Sequence, residues 1–152
     1  DFRLLKEVQR INTDAIERFL KKLREELWVL KEKTIAVLGL AFKPNTDDIR
    51  LAPALEVIRR LQTEGVRIRA YDPRAMEKAR AVLKDVTFCK DAYEAAQGCD
   101  ALLIATEWDE FRNLDLSRLK SALAHPIVFD GRNLFDPAKM KSLDFVYRSV
   151  GR

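Results

Sequence analysis

The residues of this sequence best placed to do chemistry are three cations on two loops. Lys43 and Arg50 stand in Gly39-Leu40-Ala41-Phe42-Lys43-Pro44-Asn45-Thr46-Asp47-Asp48-Ile49-Arg50, directly after the strand-like run Ile35-Ala36-Val37-Leu38. Arg132 stands in Asp130-Gly131-Arg132-Asn133, after the strand-like run Ile127-Val128-Phe129. A strand, a loop and then a helix is the layout of a phosphate site in α/β proteins. This loop is not a G-x-G-x-x-G loop, because Ala41 stands where that fingerprint needs a glycine for close backbone approach. Its cations supply another means, holding a diphosphate by charge as well as by backbone N–H groups.

Each cation also has a plainer reading. Lys43 would otherwise be a solvated loop lysine, Arg50 a partner of Asp47 or Asp48, and Arg132 a partner of Asp130 or Asp136. Asp72 ends a strand where dinucleotide folds often place an acid for a ribose. With no Gly-rich loop to receive a pyrophosphate, Asp72-Pro73 reads instead as a turn. Trp108 reads as a half-buried packing residue. Cys89 and Cys99 have the spacing of neither a disulfide framework nor a zinc site and read as small buried residues. His125, the one histidine, reads as a surface residue in a loop before Pro126.

The elements that must position these groups follow from periodicity. Apolar residues recur at helical spacing from Leu5 to Leu30, with no helix breaker before Lys31-Glu32-Lys33. At about 1.5 Å per residue this helix runs roughly 43 Å, more than the usual depth of a small domain. It either packs along its own domain or connects to something beyond it. Its Lys-Arg-Glu mixture between Arg18 and Lys33 reads as a solvated face. From residue 34 strands alternate with helices. Strands are expected at 34–38, 66–71, 86–89, 101–105, 127–129 and 145–149, and helices at 53–64, 75–83, 91–97, 116–124 and 136–141, with Asp91 as an N-cap. The run Ala101-Leu102-Leu103-Ile104-Ala105 suits a central parallel strand buried on both faces. The expected fold is a doubly wound, mainly parallel Rossmann-like α/β sheet of five or six strands, preceded by a long α-helix. With strand order 3-2-1-4-5-6, the loops after strands one, four and five meet at one crevice. Lys43, Arg50 and Arg132 would then repel one another unless an anion, or Asp47, Asp48, Glu107 and Asp130, answered them.

Composition narrows the partners. A hydrophobic content of 47% in 152 residues supports a real core, and an excess of 28 basic over 24 acidic residues is too mild and too interspersed for a nucleic-acid stripe. No apolar run approaches the about 20 residues of a membrane span. A cytoplasmic chain is expected. It begins at Asp1 inside the helix pattern, so a piece of a longer protein is expected too.

Taken together, the Gly39–Arg50 loop, Ala52-Pro53, Tyr71-Asp72-Pro73, Ala105-Thr106-Glu107-Trp108 and Phe129-Asp130-Gly131-Arg132-Asn133 resemble the nucleotide-sugar dehydrogenases of the UDP-glucose/GDP-mannose dehydrogenase family. Thr106-Glu107-Trp108 looks more like the UDP-glucose branch than the UDP-N-acetylmannosamine or GDP-mannose branches. The resemblance is to the C-terminal, UDP-binding domain, with part of the central helix before it. It implies a connector and dimerisation helix over 1–30 and a UDP-sugar-binding domain over 34–152. It implies a parent enzyme that oxidises the C6 hydroxymethyl of a nucleotide sugar to a carboxylate with NAD⁺, which the N-terminal domain holds. By the same resemblance the Phe42 backbone and Lys43 contact the sugar nucleotide, Arg132 binds the same substrate, and Arg50 reaches toward the cofactor. The family's Gly-Gly-Ser-Cys nucleophile motif, substrate lysine and cofactor Gly-rich loop are not in this sequence. The chain alone is therefore expected to be inactive. Two other functions stay open beside this one. One is a non-catalytic oligomerisation module paired through the first helix. The other is an independent dinucleotide-binding domain.

Overall fold

The computed structural model describes residues 2–152; Asp1, with which the expected first unit begins, lies outside the described residues. The helix α1 spans Phe2–Leu27 and is two helices in character. Phe19, Leu20, Leu23 and Leu27, an adjacent pair followed at three- and four-residue steps, are buried along one stripe. Phe2, Leu4, Leu5, Val8 and Ile11 in its first half are exposed. The helix stops where Trp28 turns to a positive φ of 62°.

Behind it the chain builds β1 (Thr34–Leu38), α2 (Pro53–Thr63), β2 (Arg67–Tyr71), α3 (Met76–Val82), β3 (Val86–Phe88), α4 (Ala92–Ala96) and β4 (Ala101–Ile104). Then come α5 (Asp109–Arg112), α6 (Leu116–Ala122), β5 (Ile127–Asp130), α7 (Pro137–Ser142) and β6 (Val146–Ser149). The expected elements are all present, within a few residues at their ends. The short α5 is an addition, in a stretch that reads as loop. Local chemistry accounts for the boundaries. Pro53 opens α2 at a position that needs no N–H. Asp91 caps α4 by accepting from the Glu94 amide at 2.7 Å.

The six strands form one sheet in the order β3-β2-β1-β4-β5-β6, and every pair is parallel. The all-apolar β4 is central, with all of its residues buried. The register sets Leu38 opposite both Tyr71 and Ile104, and Ile104 opposite Asp130. The carboxyl ends of β2, β1, β4 and β5 are therefore level, and the loops leaving them start side by side.

The charged face of α1 is less solvated than its composition suggests. One i,i+4 pair forms along it, Lys21–Glu25 at 3.9 Å. Other groups reach partners off the helix as well as along it. Arg24 joins Glu17 at 2.7 Å and Glu64, just past α2, at 2.8 Å, while Arg60 of α2 joins Glu17 at 2.8 Å. Glu26 pairs with Arg148 of β6 at 3.0 Å, and the Lys22 ammonium donates to the Ser149 carbonyl. The Arg24 guanidinium holds the Glu17 carboxyl below its ordinary range. Such half-exposed pairs add little each, but they fix the azimuth of the helix on the sheet.

Candidate functional site

The loop after β1 is shaped by its first residues. Gly39 has φ of 97°, and a Cβ there would lie 2.6 Å from the Thr106 Cβ and 2.7 Å from the Thr106 backbone nitrogen. Only glycine lets this loop and the loop after β4 lie so close. Thr106, itself buried, donates from Oγ1 to the Ala41 carbonyl at 2.8 Å. The backbone donors at the start of the loop are all engaged. Gly39 N–H bonds the Tyr71 carbonyl at 2.9 Å and Phe42 N–H the Asp48 carbonyl at 2.7 Å. Leu40 and Ala41 N–H both donate to Asp72 Oδ2, at 2.7 and 3.1 Å. An anion at this loop thus meets side chains and the amides from Lys43 onward, not the amides of 39–42.

Two buried carboxylates organise the surrounding turns. Asp72 accepts from the Arg74 and Ala75 amides at Oδ1, both at 2.8 Å, which is the expected Asp-Pro turn. Its Oδ2 also takes the Trp108 indole N–H at 3.2 Å, so Trp108 is a buried, hydrogen-bonded strut and not a half-buried packing residue. Asp130 has the same role one strand over. It accepts from the Arg132, Leu134 and Phe135 amides and from the Tyr147 hydroxyl, the last at 2.6 Å. Burial and the Asp130 carboxylate together push the Tyr147 hydroxyl pKa upward, so it stays a donor.

The cations sort themselves differently. Arg50 folds back on Asp48, with Nη2–Oδ2 at 2.9 Å, and this pair holds the Asp48 carboxyl down to about 2. Arg132 pairs with Glu107 of the β4 loop, in place of the nearby Asp130 or Asp136. Asp130 is unavailable to it because its oxygens are used by backbone amides. Lys43 is exposed and has neither hydrogen bond nor ion pair among the described residues. Phe42 beside it is 51% exposed, and its carbonyl has no partner among the described residues. Two further cations that the sequence reading passed over tether the loop to α3 and its approach. Arg74 donates to the Asn45 carbonyl at 3.3 Å and Lys78 pairs with Asp47 at 3.2 Å. Thr106 ties the β1 loop to the β4 loop and Glu107–Arg132 ties the β4 loop to the β5 loop, so the three loops make one surface.

Other chemistry is absent or elsewhere. No group of His, Cys, Asp and Glu among the described residues suits a metal. His125 is an exposed surface residue 3.9 Å from Asp100. No helix of the described residues is long and apolar enough to cross a membrane. A cleft of about 610 Å³ between α4 and α6 shares no residue with the three loops. Both cysteines are buried and free, and burial pushes the Cys99 thiol up to about 12 and raises Cys89 as well. Native protein at pH 8 should therefore release no chromophore from a disulfide reagent such as Ellman's, and two equivalents once denatured. Rapid native labelling would show that these thiols reach solvent.

A family model described as the UDP-binding domain of the UDP-glucose/GDP-mannose dehydrogenase family matches residues 36–137. The chain is 41% identical over 152 residues to the UDP-glucose 6-dehydrogenase TuaD of Bacillus subtilis, covering 99% of this chain and 33% of that protein. It is 47% identical over 123 residues to the UDP-glucose 6-dehydrogenase of Rhizobium meliloti, covering 81% and 28%. A solved UDP-glucose dehydrogenase from Pyrobaculum islandicum superposes with a TM-score of 0.79 at 37% identity, over 94% of this chain and 31% of that one. The chain thus spans about a third of the length of these relatives. The matched span runs from β1 through the β5 loop and so holds all three converging loops; this chain belongs to the UDP-glucose/GDP-mannose dehydrogenase family, as its UDP-binding domain.

Proposed function

We propose that this chain is the sugar-nucleotide-binding part of an NAD-dependent UDP-glucose 6-dehydrogenase, which converts UDP-glucose to UDP-glucuronate. In this reading residues 34–152 bind the UDP-sugar, and residues 1–30 connect to a preceding domain that holds NAD⁺ and carries the nucleophile. The observation that carries it is Lys43, an exposed ammonium with no partner among the described residues, on one of three loops that are joined side by side. Lys43 and the Phe42 backbone contact the diphosphate and sugar. Arg132 binds the same substrate, sharing its charge with Glu107 or leaving it. Arg50 faces the cofactor across the cleft between domains. The loop itself does not suit a dinucleotide, since its first amides are taken, and NAD⁺ belongs to the preceding domain.

Calorimetric titration of the chain with UDP tests this. Lys43→Ala should weaken binding by about 1.5–3 kcal/mol, roughly 10- to 150-fold, the range for a charge-assisted hydrogen bond. Unchanged affinity would remove Lys43 from the site. Tighter binding of GDP than of UDP would move the reading to the GDP-mannose branch.

A second reading is favoured by one feature. The apolar residues Phe2, Leu4, Leu5, Val8 and Ile11 share the exposed half of α1, a stripe suited to pairing with a second copy. A homodimer through this helix is compatible with the first reading. A cytoplasmic location is supported by two free buried cysteines.

A further inference from the structure

In a dinucleotide-binding sheet the amides just after the first glycine of the β1 loop approach a pyrophosphate, which sits in the crevice beyond the strand ends. In this chain those amides belong to Leu40 and Ala41, after Gly39. Both point at one oxygen of Asp72, at 2.7 and 3.1 Å. Asp72 is fully buried, and no Lys, Arg or His pairs with it among the described residues. Its charge is met by five N–H donors instead: the Leu40, Ala41, Arg74 and Ala75 amides and the Trp108 indole. That is the donor set of an anion-binding cradle, since an ionised oxygen in a dry site is held best by convergent N–H dipoles.

We infer that the Asp72 carboxylate is a built-in anion filling the backbone cradle at the end of β1, which closes that position to a nucleotide diphosphate and presets the loop carrying Lys43. Asp72 is thus a positioning residue that also decides against dinucleotides. The same oxygen joins the β1 loop to the β4 loop through Trp108, so the two loops are held together before any ligand arrives. The inference does not depend on UDP being the ligand.

The test fills the emptied cradle from solution. For the test Trp28 is replaced by Phe, which leaves Trp108 as the one indole. Asp72→Ala in this background should shift the Trp108 emission and lower the melting temperature by about 10 °C or more, because five donors lose their acceptor. Sodium formate should restore both, saturably, where sodium chloride at equal ionic strength does not. Asp72→Asn should be destabilised too, since its NH₂ meets donors, and formate should not help it because the space is occupied. If Asp72→Ala is unfolded, formate-specific refolding is read by circular dichroism. Formate and chloride acting alike, whether on emission, melting or refolding, would overturn the inference. So would saturable submillimolar binding of NAD⁺ or pyrophosphate to the unaltered chain that displaces the Trp108 contact. A chain that fails to bind UDP while Asp72→Ala recovers with formate would sink the proposed function and leave this one standing.

Discussion

Gly39→Ala should cost about 2–5 kcal/mol in urea unfolding, the largest loss expected for an alanine at any glycine of this chain. Two terms combine. The first is backbone strain: φ is 97°, where an L residue pays about 1–2 kcal/mol. The second is collision. The new Cβ would sit 2.6 Å from the Thr106 side chain and 2.7 Å from the Thr106 backbone nitrogen. A side chain can rotate away, but the backbone nitrogen belongs to the turn that leaves β4, so the two loops must separate. That separation also strains the Thr106–Ala41 hydrogen bond, at 2.8 Å, and the Asp72 bridge behind it. Gly98→Ala is the control. Its φ is 71° but nothing lies within 4 Å of its would-be Cβ, so it should lose only about 1 kcal/mol. Equal losses at the two positions would mean that the β1 and β4 loops are not in contact, and the three-loop surface would go with them. UDP binding at a temperature where Gly39→Ala remains folded should also fall, because Lys43 is four residues along the displaced loop.

The contrast between these glycines also marks what could be read from the sequence. Strand positions, their order and the buried run of β4 were legible because burial on both faces leaves an unbroken apolar string. The meeting of the three loops followed from that order. Arg132 shows where legibility ended. Asp130 and Asp136 are its near neighbours in sequence, yet it pairs with Glu107, 25 residues away. The register explains the choice: Ile104 faces Asp130, so Glu107 and Arg132 leave adjacent strands a few residues beyond a shared level. Asp130 meanwhile serves three amides and a tyrosine, a commitment that no local pattern announces. Asp72 is the same case. Its turn could be read from Asp-Pro, but its second oxygen acts on groups 31 to 36 residues away. Helix α5 was missed because four residues carry no period. Buried carboxylates that bind distant backbone leave no periodic trace, whereas apolar faces do.

Shortening the chain at two places should separate the two halves of α1, with the larger effect on the more familiar-looking cut. A chain beginning at residue 31 loses Phe19, Leu20, Leu23, Leu27 and Leu30, all nearly or fully buried. At about 1.5–3 kcal/mol for each buried side chain, the loss is roughly 7–15 kcal/mol, as large as the whole stability of an ordinary domain. That chain should be unfolded or should bind a hydrophobic dye with no cooperative melting transition. It would also loosen the turn after β5, because the Phe19 ring backs it at Gly131: a Cβ there would stand 3.6 Å from Phe19 Cζ. A chain beginning at residue 16 keeps all of these contacts and gives up only the stretch holding Phe2, Leu4, Leu5, Val8 and Ile11. It should melt within about 2 °C of the full chain, since exposed side chains contribute little to folding. If the first helix pairs two copies, light scattering should give this shorter chain half the mass of the full one at the same concentration, with UDP affinity unchanged. A chain from residue 31 that melts as high as the full one would mean that α1 merely leans on the sheet. An unchanged mass on starting at residue 16 would remove the exposed stripe as an assembly surface. The two cuts have separate outcomes because the helix is buried at one end and bare at the other, so folding and assembly need not be lost together.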